Sequence, residues 1–97
     1  MATLYIAEFG NLVGLDGKAQ IAPNPPIAEQ TVSFSSSTQS SAFNGQTRYI
    51  RVHTDAICSI LVGSNPTATT STQRMVAGQT EYIGVTPGHK IAAVTNT

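Results

Sequence analysis

The residues equipped for chemistry are few. Cys58 is the single cysteine of the chain, with His53 and Asp55 just before it. A thiol, an imidazole and a carboxylate form the set a cysteine nucleophile needs: the attacking sulfur, its base and a group that orients the base. The spacing argues against that use. If Thr47–His53 and Ala56–Val62 pair as a hairpin about Thr54-Asp55, His53 faces Ala56 and Cys58 falls two places further along the ladder. Cys58 also lies within Ala-Ile-Cys-Ser-Ile-Leu, where cysteine is a small buried hydrophobe. His53, His89, Asp55 and Glu81 are the donors a metal would need, yet they share no helical spacing and form no cluster, so they read as solvated loop and strand residues. Gly10, Gly14 and Gly17 lack the spacing and the following helix of a phosphate-binding loop and read as turns. The 5 acidic residues offer no evident pair for glycoside hydrolysis. The expectation is a chain that is not an enzyme and carries no cofactor and no metal.

The elements that would position these groups are short strands. Thr3–Phe9 is rich in β-branched and aromatic residues and ends at Gly10-Asn11. Lys18–Ala22 is a brief second candidate. Gln30–Ser35, Thr47–His53, Ala56–Val62, Gln73–Ala77, Thr80–Val85 and Lys90–Val94 follow, separated by Asn44-Gly45, Gly63-Ser64-Asn65-Pro66, Gly78 and Pro87-Gly88. Pro87-Gly88 fits the centre of a type II turn. No apolar period of 3.6 residues is sustained anywhere. About seven or eight short strands at roughly 8–12-residue spacing predict an all-β domain, a compact β-sandwich or jelly roll, or else a small barrel. One domain is expected over 1–97. Pro23-Asn24-Pro25-Pro26 forbids regular pairing, so 23–28 reads as an extended Pro-rich arm, either docking on a neighbour or crossing over within the domain.

Composition narrows the function. Charged residues make up 10% of the 97, and 5 basic residues balance 5 acidic ones. An average soluble domain carries roughly 25%. This balance excludes a basic face for nucleic acid and an electrostatic membrane anchor. No apolar stretch approaches the roughly 20 residues of a membrane span. The opening Met1-Ala2-Thr3-Leu4-Tyr5-Ile6 has no basic region before a long apolar run, so no secretory signal is expected. A lone cysteine fits synthesis in a reducing cytoplasm. Ser, Thr, Gln and Asn supply the missing polarity.

The hairpin about Thr54-Asp55 would place Val52 opposite Ile57 and Ile50 opposite Ser59 on one face, and Arg51 opposite Cys58 and Tyr49 opposite Ile60 on the other. Both faces then carry large apolar groups. Either a second layer of the domain covers the spare face, or another subunit does. The aromatics Tyr5, Phe9, Phe34, Phe43, Tyr49 and Tyr82 are expected to supply most of the large core volume. Small size, low charge and a spare face together predict a homo-oligomer. Its candidate interface residues are Pro25, Pro26, Ile27, Phe43, Arg48, Tyr49 and Arg51. Phe43 is either an exposed anchor or a plug folded onto the core. Arg48 and Arg51 bracket Tyr49 and Ile50, a combination found at interfaces; the alternatives are a solvated edge or ion pairs with Asp55 or Glu81.

The order of elements has a likeness. A strand, a Pro-rich linker and a Ser/Thr loop lead to Thr47-Arg48-Tyr49-Ile50-Arg51-Val52. Then come Gly63-Ser64-Asn65-Pro66-Thr67-Ala68, Ala77-Gly78, Glu81-Tyr82-Ile83-Gly84-Val85 and Pro87-Gly88-His89-Lys90-Ile91-Ala92. From about Gln30 onward this resembles the small virion structural proteins of tailed bacteriophages, in particular capsid decoration (cement) proteins. The resemblance implies a β-sandwich or jelly-roll unit, often trimeric, seated on the major capsid protein at the surface of the virion, with no catalysis and no cofactor. The expected function is capsid decoration and stabilisation. The alternatives are a carbohydrate- or receptor-binding module of a tail fibre or baseplate, with Tyr5, Tyr49 or Tyr82 as stacking platforms, and a tail or neck connector subunit.

Overall fold

A computed structural model describes residues 2–10, 13–15, 19–21 and 26–97. Among the described residues ten strands are formed: β1 (Ala2–Phe9), β2 (Val13–Leu15), β3 (Ala19–Ile21), β4 (Ala28–Phe34), β5 (Thr38–Gln39), β6 (Tyr49–Thr54), β7 (Cys58–Gly63), β8 (Gln73–Met75), β9 (Thr80–Gly84) and β10 (Lys90–Thr95). Eight of them make two four-stranded antiparallel sheets. Sheet one runs β4-β1-β6-β9 and sheet two β5-β10-β7-β8, while β2 and β3 pair only with each other. No helix occurs among the described residues. The all-β sandwich expected from the strand spacing is the fold observed. Pro25 and the rest of 22–25 lie outside the described residues, and with them half of the expected arm; Ala28 already belongs to β4.

Strand alternation builds the core, because successive side chains point to opposite faces. β1 turns Leu4, Ile6 and Glu8 inward, β4 turns Val32 and Phe34, and β6 turns Ile50, Val52 and Thr54. Sheet two answers with Cys58, Ile60, Met75, Ile91 and Ala93, and the two sets form one apolar cluster.

The hairpin about Thr54-Asp55 does not form. β6 pairs with β1 and β9 in sheet one, and β7 pairs with β10 and β8 in sheet two. Residues 55–57 are a corner from one sheet to the other. Asp55 fixes that corner: its Oδ1 accepts the Thr3 backbone N–H at 2.7 Å, and its own N–H donates to the Thr3 carbonyl at 3.2 Å. The apolar residues that seemed to load both faces of a hairpin instead line one core from opposite sheets. The inference of an oligomer from a two-sided hairpin therefore falls.

The outer face of sheet two is covered in part by the chain itself, although Leu61 on that side is 41% exposed. Ser59 and Ala92 point away from the core cluster yet have no exposed surface. The loop 64–72 lies on that side. Its Ala68 is buried and donates its N–H to Ser37 Oγ, its Thr70 carbonyl and Ser59 Oγ both accept from Asn96 Nδ2, and Gln39 Nε2 reaches Asn65 Oδ1 and the Pro66 carbonyl at 2.8 Å each. The Ser/Thr/Asn content that reads as a polar loop thus serves as lateral hydrogen bonding across a sheet. At Pro87-Gly88 the expected turn forms, and Gly88 takes φ +83°, which an L side chain resists.

Candidate binding face

The outer face of sheet one is aromatic, and it is exposed except at its Phe9 end. The register gives a grid of side chains with the same orientation. One row is Thr31, Tyr5, His53 and Thr80. The next is Glu29, Ala7, Arg51 and Tyr82. The third carries Phe9, Tyr49 and Gly84. Phe9 and Tyr49 stack with ring centres 4.9 Å apart, and Tyr82 follows at 6.5 Å from Tyr49. Tyr5 lies 6.4 Å from the His53 ring, whose Nδ1 is 2.8 Å from Thr80 Oγ1. Tyr5 is 48% exposed and Tyr82 59%. Of the six aromatics expected in the core, Phe34 and Phe43 belong to the core cluster, Phe9 is buried at 5% exposure, Tyr49 is half-buried, and Tyr5 and Tyr82 are exposed.

The centre of the grid is a depression. Ala7 is the smallest side chain there, and β1 separates Glu29 on β4 from Arg51 on β6. Two strand spacings set these opposite charges roughly 10 Å apart. Tyr5, Ala7, Glu29, Thr31 and Arg51 line a groove of about 330 Å³. It combines an aromatic plane, an acceptor carboxylate, a donor guanidinium and a hydroxyl. The Tyr49 hydroxyl is enclosed without a hydrogen-bond partner among the described residues. Burial, with help from the Tyr82 phenol, pushes the Tyr49 phenol above its ordinary range.

Beneath the face lies a buried carboxylate. Glu8 is 2% exposed. Its Oε1 accepts from the Asn44 N–H and the Thr47 hydroxyl, both at 2.8 Å, and Oε2 accepts from Gln30 Nε2 at 3.1 Å. Gln30 in turn holds Ser41 through both ends of its amide. The network fastens the 40–47 loop to sheet one, and it brings in no basic side chain. The loop carries Phe43 into the core at 3% exposure, with backbone bonds from Phe43 N–H to the His89 carbonyl and from Gly88 N–H to the Phe43 carbonyl. Phe43 is thus the plug and not an exposed anchor, and it leaves the set of interface candidates.

The remaining candidates divide. Tyr49 and Arg51 belong to the open face. Arg48 is exposed, but alternation sends it to the other side from Tyr49. Ile27 is 42% exposed just before β4, beside half-buried Pro26. Neither acid considered as an arginine partner shares the open face: Asp55 caps the sheet corner, and Glu81 pairs with inward-facing Val52. Cys58 and His53 are also parted. Cys58 is fully buried between the sheets with Sγ 3.6 Å from Thr54 Oγ1, whereas His53 is on the outer face. Burial holds the Cys58 thiol above its ordinary pKa, although the Thr54 hydrogen bond opposes the shift. No group of three His, Cys, Asp or Glu able to hold a metal occurs among the described residues.

Sequence reasoning named Tyr5 and Tyr82 as possible platforms but missed Ala7, Glu29 and Thr31. The signal was present in the period of two along Tyr5-Glu8 and Glu29-Val32, which assigns these residues to one side once the side of Leu4 and Val32 is known. Comparison of the chain with known protein families, curated proteins and solved structures found no match in any of the three.

Proposed function

We propose that the chain is a non-enzymatic structural subunit of a bacteriophage virion, decorating the assembled capsid and stabilising it as an oligomer. One observation carries this reading: the outer face of sheet one presents two exposed tyrosines, Tyr5 and Tyr82, around an exposed arginine, Arg51. Those residue types dominate the buried centres of protein interfaces. The assignment to a capsid rests on the likeness of the sequence layout to decoration proteins. The low charge fits a crowded lattice, where like-charge repulsion between copies would accumulate. Four strands at about 4.8 Å and five residues at about 3.4 Å give the open face a footprint of roughly 20 by 17 Å, smaller than the ~800 Å² per partner of a standard interface. An oligomer held through such a face is weak on its own, and many copies bound to one shell sum to a large effect.

The test is to add the purified protein to undecorated capsids and follow co-sedimentation and capsid melting temperature. Saturable binding with a raised melting temperature is expected; absence of binding refutes the proposal. A second reading, a saccharide-binding module, is favoured by the groove beside Tyr5, where a sugar ring would stack while Glu29, Thr31 and Arg51 meet its hydroxyls. A glycan array without hits removes it.

A further inference from the structure

We propose that the open face of sheet one is covered by a second copy of the same chain, packed face to face about a two-fold axis that runs along β1 through Ala7. The inference rests on the reading of this sheet as a binding face and names its occupant.

The argument is one of self-complementarity. In a two-fold interface, each residue that meets another must meet it in both directions. Three axes through the centre of the face are available. An axis normal to the sheet does not bring two faces together. An axis in the plane and across the strands places Glu29 over the partner's Glu29 and Arg51 over the partner's Arg51, which stacks like charges. An axis in the plane and along β1 exchanges the two flanks of that strand. Glu29 then lies over the partner's Arg51, and Arg51 over the partner's Glu29.

The other positions follow from the same operation. Ala7 meets the partner's Ala7 on the axis, and the smallest side chain of the grid lets the backbones approach there. Tyr5 meets the partner's Tyr5, and Thr31 faces the partner's His53. Tyr49 comes over the Ile27 side of the partner, pairing an aromatic edge with an exposed aliphatic residue. Tyr82 remains at the rim. Two twisted sheets pack with their strands about 30° apart, which leaves the register near Ala7 intact. The groove is filled by the partner's charged side chains, so each copy completes the other's centre.

The face is smaller than the roughly 800 Å² per partner of a standard complex, so the dimer should be weak and dissociate on dilution. The test is sedimentation velocity across a dilution series of the full chain, with three variants. Wild type should move from dimer to monomer on dilution, and raised salt should shift the transition to higher concentration. Glu29→Arg alone and Arg51→Glu alone should each weaken dimerisation at least tenfold. The double variant Glu29→Arg with Arg51→Glu should restore it to within about threefold of wild type. Both residues are exposed, so the fold should survive, and circular dichroism checks that it does. A monomer at all concentrations, a trimer, or a dimer that the single variants leave intact overturns the proposal. So does saturable saccharide binding at the groove with no self-association. Capsid binding is scored separately: a monomer that binds capsids refutes the dimer alone, and a dimer that ignores them refutes decoration alone.

Discussion

Removing the Glu8 carboxylate should loosen the loop that carries Phe43, and the structure sets the scale. Glu8→Ala strands the Asn44 N–H and the fully buried Thr47 hydroxyl, and it takes one acceptor from Gln30. An unsatisfied buried donor costs about 1–3 kcal/mol. The Thr47 hydroxyl is such a donor and the Asn44 N–H only partly so; with the lost methylene packing at about 0.8 kcal/mol per buried group, the total is about 3–4 kcal/mol. Relief from holding a charge away from water offsets part of this, leaving about 3 kcal/mol. In a domain of this size that lowers Tm by roughly 12–24 °C. Glu8→Gln is the informative companion. It keeps one oxygen for Asn44 and Thr47 but turns an amide N–H₂ toward Gln30 Nε2, donor against donor. Its cost should be about 1–2 kcal/mol, intermediate between wild type and Glu8→Ala. Urea unfolding at low protein concentration measures both. If Glu8→Gln equals or exceeds wild type and Glu8→Ala loses under about 1 kcal/mol, the carboxylate does not anchor the loop and the reasoning is wrong.

Three further outcomes are expected. Phe43→Ala should destabilise by about 3–5 kcal/mol, since the ring is a core plug, while leaving any dimer of the folded protein intact; thermal melts and sedimentation read the two effects. Cys58 should resist thiol reagents in the native state at neutral pH and react stoichiometrically in denaturant, because the thiol is both enclosed and held in its protonated form. Tyr49→Phe should stabilise the monomer by about 1 kcal/mol by deleting an unpartnered hydroxyl. The same variant tests a pH dependence. The folded state raises the Tyr49 pKa, so the unfolded chain releases that proton first as pH climbs. Stability from this group is whole below the ordinary phenol value of 10.0 and is lost above it. Tyr49→Phe should flatten that alkaline decline in urea titrations; an unchanged slope would place its origin elsewhere.

Strand existence was legible because alternation of apolar and polar residues survives in Gln30–Ser35 and Thr47–His53, and Pro87-Gly88 announces its own turn. Pairing was not. Two strong strands three residues apart look like a hairpin, and only the long-range bonds of Asp55 to Thr3 turn that link into a corner between sheets. The side of each strand was ambiguous where both sides are apolar: Leu4 and Ile6 alternate with Tyr5 and Phe9, and periodicity alone does not say which set faces the core. The loop 64–72 reads as solvent-exposed by composition, yet it covers a sheet. Glu8 was hidden for the opposite reason, since a carboxylate is seldom buried without a cation. Of the face itself, Tyr49 and Arg51 were visible as an interface pair, whereas Glu29 acquires meaning only through the register that sets it across Ala7 from Arg51.

The chain passes from one sheet to the other at nearly every connection after β4, and β10 is an interior strand of sheet two although β5, β7 and β8 all precede it. A ribosome therefore releases three of the sheet's four strands before the one that joins them. Until β10 arrives, β5 has no neighbour in its sheet and β7 has only the short β8, so the nascent protein spends that interval with sticky, half-matched strands. The waiting time for β10 is where aggregation competes with folding, and slowing synthesis upstream of Lys90 should lengthen that exposure.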